Sequence, residues 1–159
     1  MSVSVTAVDR VAVIRLLRSE RRNAVDAAIA RSLVDAFLAF DSDAALDVAV
    51  LAATDEVFCA GADLKAIASG APPQISPHGD SPMGPPRMRL SKPVIAAIEG
   101  LAVAGGLELA LWADLRIAGA SAIFGVFNRR FGVPLVDLDR PLDRRSRGPC
   151  HRIDQPVRP

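Results

Sequence analysis

Glu108 is the residue from which a chemical reading of this chain starts. It stands three positions after Gly105 in Ala104-Gly105-Gly106-Leu107-Glu108-Leu109-Ala110-Leu111, and no other charged group lies between Glu99 and Asp114. A carboxylate set among leucines either faces solvent or is buried for a reason, because an uncompensated buried charge is costly. If the glycine pair opens a helix, Glu108 falls near its start, where unpaired backbone N–H groups converge and negative charge is favoured. That combination suits reactions in which charge grows on an oxygen: turn amides hold the oxyanion while the carboxylate moves a proton. The simpler alternative is a tight turn that lets strand and helix pack closely, with Glu108 on the outer face.

A second turn of similar make-up, Ala60-Gly61-Ala62-Asp63-Leu64, comes earlier and also leads into a short predicted helix, with Asp63 as its cap. Two such turns would place two backbone amides on one acyl oxygen. The other reactive residue types offer less. Cys59 and Cys150 lie far apart in unlike surroundings, so neither a metal-binding Cys pair nor a disulfide framework is indicated. His78 and His151 lie in Pro-rich or Arg-rich segments without a second ligand at metal-binding spacing, so no metal site is expected. A serine or cysteine hydrolase is disfavoured because there is no nucleophile elbow and Cys59 has no evident histidine partner. Glu99, before Gly100, reads as structural.

The elements that must carry these turns follow from periodicity. With 159 residues, half of them hydrophobic, the chain is long enough for one domain with a real core. A net charge of +1 gives no reason to expect nucleic acid or an anionic membrane as partner. No stretch approaches transmembrane length, and the first ten residues lack the layout of a secretory signal, so a cytoplasmic location is expected. β-Branched residues predict strands over 3–8 and 11–16, turning at Asp9-Arg10. Ile29, Leu33, Phe37 and Phe40 recur at helical spacing behind Asp26, the expected N-cap. Val48 to Ala53 reads as a strand buried on both faces, and Lys92 to Asp114 as a buried strand, a glycine-rich turn and an apolar helix. Strand, helix and strand in that order predict a layered α/β architecture. Residues 69–86, rich in Pro, Gly and Ser, predict a long surface loop. Leu115 to Ala118 and Ala122 to Phe124 predict two more short strands. From Leu138 the apolar pattern stops and Arg alternates with Pro, which predicts an irregular tail over 138–159.

Taken together, Arg21-Arg22-Asn23-Ala24, Phe58-Cys59-Ala60-Gly61-Ala62-Asp63-Leu64, Lys92-Pro93 through Asp114, Phe124-Gly125 and Gly132-Val133-Pro134-Leu135 resemble the crotonase or enoyl-CoA hydratase/isomerase superfamily, over about residues 3–137. The resemblance implies a crotonase-like spiral of ββα units over residues 1–137, acting on an acyl-CoA thioester through an oxyanion-stabilised enolate. By position it assigns the oxyanion donors to the N–H groups of Ala62 and Gly105 and the catalytic acid/base to Glu108. Coenzyme A contacts fall at Arg22, Ala24, Ala60, Asp63 and Leu64, and loop residues after Lys65 would border the acyl chain. No cofactor is implied, since coenzyme A is part of the substrate. Two glutamates share the work in family hydratases; here the second position is taken by Asn128, whose amide cannot donate a proton as a carboxylic acid does. Asp137 is the alternative second acid/base. The resemblance also implies a homotrimer, which family members build with C-terminal helices whose place the Arg/Pro-rich tail takes here. The abrupt change at Leu138 is read as out-of-frame translation of a GC-rich gene, giving a shortened chain. A catalytically inactive acyl-CoA-binding fragment is the alternative to an enzyme.

Overall fold

The computed structural model describes residues 2–54, 56–70, 75, 78–132, 135–136 and 150–152. The two leading runs of β-branched residues pair as expected: β1 (Val3–Val8) and β2 (Val11–Leu16) are antiparallel, with Val8 opposite Val11. Every later strand of that sheet is parallel to its neighbour. β2 pairs with β3 (Val48–Ala53), β3 with β4 (Val94–Ile98), β4 with β6 (Leu115–Ala118), and β6 with β8 (Cys150–Arg152). A second, smaller parallel sheet joins β5 (Leu101–Val103) to β7 (Ile123–Gly125). Single bridges Cys59–Ala102 and Val25–Ala62 carry the same layer back towards the N-terminus.

The chain therefore repeats one unit: a strand in the large sheet, an extended stretch in the small layer, then a helix. The helices are α1 (Ala27–Ser42), α2 (Leu64–Ala68) and α3 (Gly105–Trp112). Each return lays the next strand parallel to the last, which makes the ββα spiral expected from the motifs. Among the described residues, no helix is long and apolar enough to cross a membrane.

Helix α1 starts behind Asp26, whose Oδ1 accepts from the Ala28 and Ile29 amides, so the expected cap is present. Its stripe Ile29, Leu33, Phe37 and Phe40 is buried and shares one core with Ile14, Leu16 and Leu51. Each such side chain contributes roughly 1.5–3 kcal/mol over its exposed state. Phe37 also meets Trp112 edge to face, ring centres 4.8 Å apart, which fastens α1 to α3. At the far end of α3 the buried Arg116 guanidinium donates to Ala113 O at 2.7 Å, satisfying a carbonyl the helix leaves open.

Four expectations need correction. β3 is buried on one face only: Ala49 and Leu51 are sealed, while Val48 and Val50 are half-buried because no comparable helical layer seals that side. The stretch 92–114 holds two strands, not one. Gly100, at φ +61°, breaks the aliphatic run and sends the chain from the large sheet to the small; a side chain there would overlap Glu56 O. The described end of the predicted surface loop is not merely superficial, since Ser81, Met83, Gly84 and Pro85 are buried against the body. Finally, the tail read as irregular over 138–159 supplies β8, because the free edge of β6 offers backbone hydrogen bonds that need no apolar pattern. Along β7 and just beyond it, Ile123, Phe124, Val126, Phe127 and Phe131 leave an exposed apolar ridge.

Phe37→Ala should cost about 3–5 kcal/mol, because it empties a fully buried site and removes the ring contact that joins two helices. Urea unfolding followed by Trp112 fluorescence measures this.

Candidate active site

The two small-residue turns meet. Cys59 N donates to Leu101 O at 2.9 Å and Val103 N to Cys59 O at 3.1 Å, so the stretch entering α2 runs beside the stretch entering α3. Contact is closest at the glycines. A methyl group on Gly61 would stand 2.8 Å from Ala104 Cβ and 3.0 Å from Gly105 N, and one on Gly106 would overlap Cys59 O. Any larger residue at these points would push the turns apart. Gly61 also adopts φ +93°, and Ala104 reaches φ +55° as it turns into α3.

The amides predicted to act together are thus brought to adjoining turns. The bridge to Val25 uses Gly61 O and Asp63 N, which leaves the Ala62 N–H directed away from it. Among the described residues neither Ala62 N–H nor Gly105 N–H donates within the protein, while the neighbouring amides of Cys59, Ala60, Asp63, Val103 and Ala104 all do. Gly105 opens α3, and its amide carries the positive end of that helix. Glu108 follows within the first turn and is buried, 6% exposed. The solvent-facing alternative is therefore excluded. Glu108 Oε1 accepts from Val136 N at 3.1 Å, so Val136 lies against the carboxylate. Asp137, the expected alternative acid/base, lies outside the described residues. Asn128 is likewise buried, and its Oδ1 has no partner among the described residues.

The predicted binding residues cluster beside these turns. Ala60 N donates to Arg22 O at 3.1 Å, Val25 N to Gly61 O at 2.8 Å and Asp63 N to Val25 O at 2.9 Å, which places Arg22 and Ala24 next to Ala60, Asp63 and Leu64. Arg22 and Leu64 are exposed and Ala24 is buried. Asp63 caps α2 as expected. Its Oδ1 accepts from the Lys65 and Ala66 amides as the cap of α2, and its Oδ2 pairs with Arg18 Nη2 at 2.9 Å. With its N–H also donated to Val25 O, Asp63 holds the turn.

Sequence reasoning missed Arg18, which carries no motif. The same guanidinium reaches Asp26 Oδ2 at 3.1 Å and Ala24 O at 3.1 Å, tying the caps of α1 and α2 together. Asn23 is fully buried at φ +53°; its Oδ1 accepts from Arg18 N and its Nδ2 donates to Thr54 O and Val57 O. It pins the turn to the end of β3. Cys59 takes no nucleophilic part: burial pushes its thiol up to about 12, and Gly61 N donates to Sγ. Glu99, exposed, accepts from Ser121 Oγ, in keeping with a structural role.

Parallel strands in two layers, wound with helices, and two helix-entry turns converging beside a buried glutamate define a protein of the crotonase fold. The enoyl-CoA hydratase/isomerase family model matches residues 6–136, and the chain belongs to that family. Enoyl-CoA hydratase EchA19 of Mycobacterium tuberculosis is 38% identical over 128 residues, covering 76% of this chain and 47% of the relative. Carnitinyl-CoA dehydratase of Proteus mirabilis is 38% identical over 120 residues, 74% of this chain and 46% of the relative. The crystal structure of enoyl-CoA hydratase EchA1 from Mycobacterium marinum superposes with a TM-score of 0.77 at 40% identity, over 84% of this chain and 52% of that one. The chain spans about half the length of the curated relatives it matches.

Two outcomes follow from the clamp and the contact between turns. Gly106→Ala should cost about 1–3 kcal/mol or more, since backbone must yield to backbone; thermal unfolding measures the loss. Burial would raise the Asp63 carboxyl, but hydrogen bonds from Ala66 and Lys65 and the charges of Arg18 and Arg21 outweigh it and hold it below the usual carboxylate range. A depressed carboxyl stabilises the fold above its unfolded value, about 3.9, and loses that contribution as pH falls through the folded value. Urea midpoints should therefore fall more between neutral and acid pH in the unmodified chain than in Asp63→Asn.

Proposed function

We propose that this protein acts on acyl-CoA thioesters, with the amides of Ala62 and Gly105 as oxyanion donors and Glu108 as the general acid/base. The single observation that carries this reading is the convergence of two amides without internal acceptors beside one buried carboxylate. The names of the relatives, a hydratase and a dehydratase of CoA thioesters, support the same substrate class.

The chemistry follows from the geometry. The thioester oxygen accepts from both amides. Glu108 takes the proton from the α-carbon, the C–H electrons move into the C–C bond, and the carbonyl π pair shifts onto oxygen to give the enolate. Two aimed donors in a buried turn lower that barrier by about 3–4 kcal/mol per donor. The proton held on Glu108 then returns to carbon. Asn128 can accept or donate a hydrogen bond but cannot supply a carboxylic proton, so Glu108 serves both directions. Arg22, exposed beside Ala60, offers positive charge to the phosphates of coenzyme A. No cofactor is needed beyond the coenzyme A that the substrate carries.

The test is exchange of the α-proton of butyryl-CoA in deuterium oxide, followed by NMR, with crotonyl-CoA hydration measured alongside. Glu108→Gln should slow exchange by about 10²–10⁴-fold while thioester binding persists. Binding without exchange in the unmodified chain would leave only a binding fragment.

A further inference from the structure

Met83 is 2% exposed and is held by a turn with little freedom. Its N–H donates to Ser81 Oγ at 3.1 Å, and Gly84 N donates to Ser81 O at 2.8 Å. Gly84, at φ +86°, presses on α1: a methyl group there would stand 3.2 Å from the Ala30 carbonyl carbon. The turn is thus clamped to α1 while the Met83 side chain lies across Gly105. A methyl group on Gly105 would find Met83 Sδ at 2.5 Å, Cγ at 2.8 Å and Cε at 2.9 Å. Unlike Gly61, Gly105 has no left-handed backbone to accommodate. It must be small because a thioether occupies the space in front of it.

We propose that Met83 sets the length of acyl chain this site accepts, restricting it to short thioesters. The proposal rests on the reading of Ala62 and Gly105 as the thioester's oxyanion donors. An acyl group whose carbonyl oxygen sits on the Gly105 amide has its first carbons within van der Waals reach of whatever covers Gly105, and Met83 covers it. Methionine suits such a wall, since its unbranched, polarisable side chain adapts to a small ligand yet fills the space. A chain longer by several methylenes must displace it from a buried position.

The experiment measures the affinities of butyryl-CoA and decanoyl-CoA by calorimetry, for the unmodified chain and for Met83→Ala, Met83→Leu and Met83→Phe. Met83→Ala should lower the ratio of decanoyl to butyryl dissociation constants by at least about tenfold, the scale at which a hydrophobic pocket discriminates by methylenes. Met83→Leu, which keeps the volume and withdraws the reach of the thioether, should shift it the same way by less, and Met83→Phe the opposite way. If Met83→Ala does not fold, the Leu and Phe variants decide. Ratios unmoved within about twofold in every folded variant would overturn the role of Met83 alone. Failure of both thioesters to bind the unmodified chain would overturn the acyl-thioester reading and this inference with it.

Discussion

Backbone touching backbone is the constraint on which the rest of this structure depends. The segment leading to α2 and the segment leading to α3 approach until a single methyl group would separate them, at Gly61 on one side and Gly106 on the other. Only because they come this close do two helix-entry amides reach one small space. Cys59, between them, exchanges hydrogen bonds with Leu101 and Val103 and so sets the register of the contact. The spiral brings the segments side by side: each of its turns places one stretch in the small layer beside the next.

What keeps the seam closed lies behind it. Arg18 joins the capping carboxylates of two helices separated by a whole turn of the spiral, and Asn23 fixes the same corner to the end of β3. An ion pair of this kind stabilises little at a surface, but here Asp63 is buried and its oxygens also receive two amides. Removing the guanidinium would strand a buried carboxylate at the entrance to the site. The first helix is thereby coupled to the candidate site without touching it.

Much of this was legible in the sequence, for local reasons. Asp26 and Asp63 announce helix starts by their type and place, the β-branched runs announce strands, and Gly-rich turns beside a lone glutamate announce a site. The resemblance then ordered these pieces into a spiral. What stayed hidden was non-local. Nothing near Arg18 points to Asp63; Gly100 looks like one more small residue in an aliphatic run; and Met83 stands in a Pro- and Gly-rich segment whose composition reads as loop. The strand at 150–152 was missed because it draws on the open hydrogen-bonding edge of β6 and leaves no apolar signature.

The sulfur at the centre of the seam has one more consequence. Cys59 is sealed among main-chain atoms and keeps its proton well above neutral pH. An alkylating reagent can reach it only when the two segments part, so the rate of thiol labelling in the native protein reports how often the seam between them opens. The most deeply sealed sulfur is thus a built-in clock for the parting of the two turns.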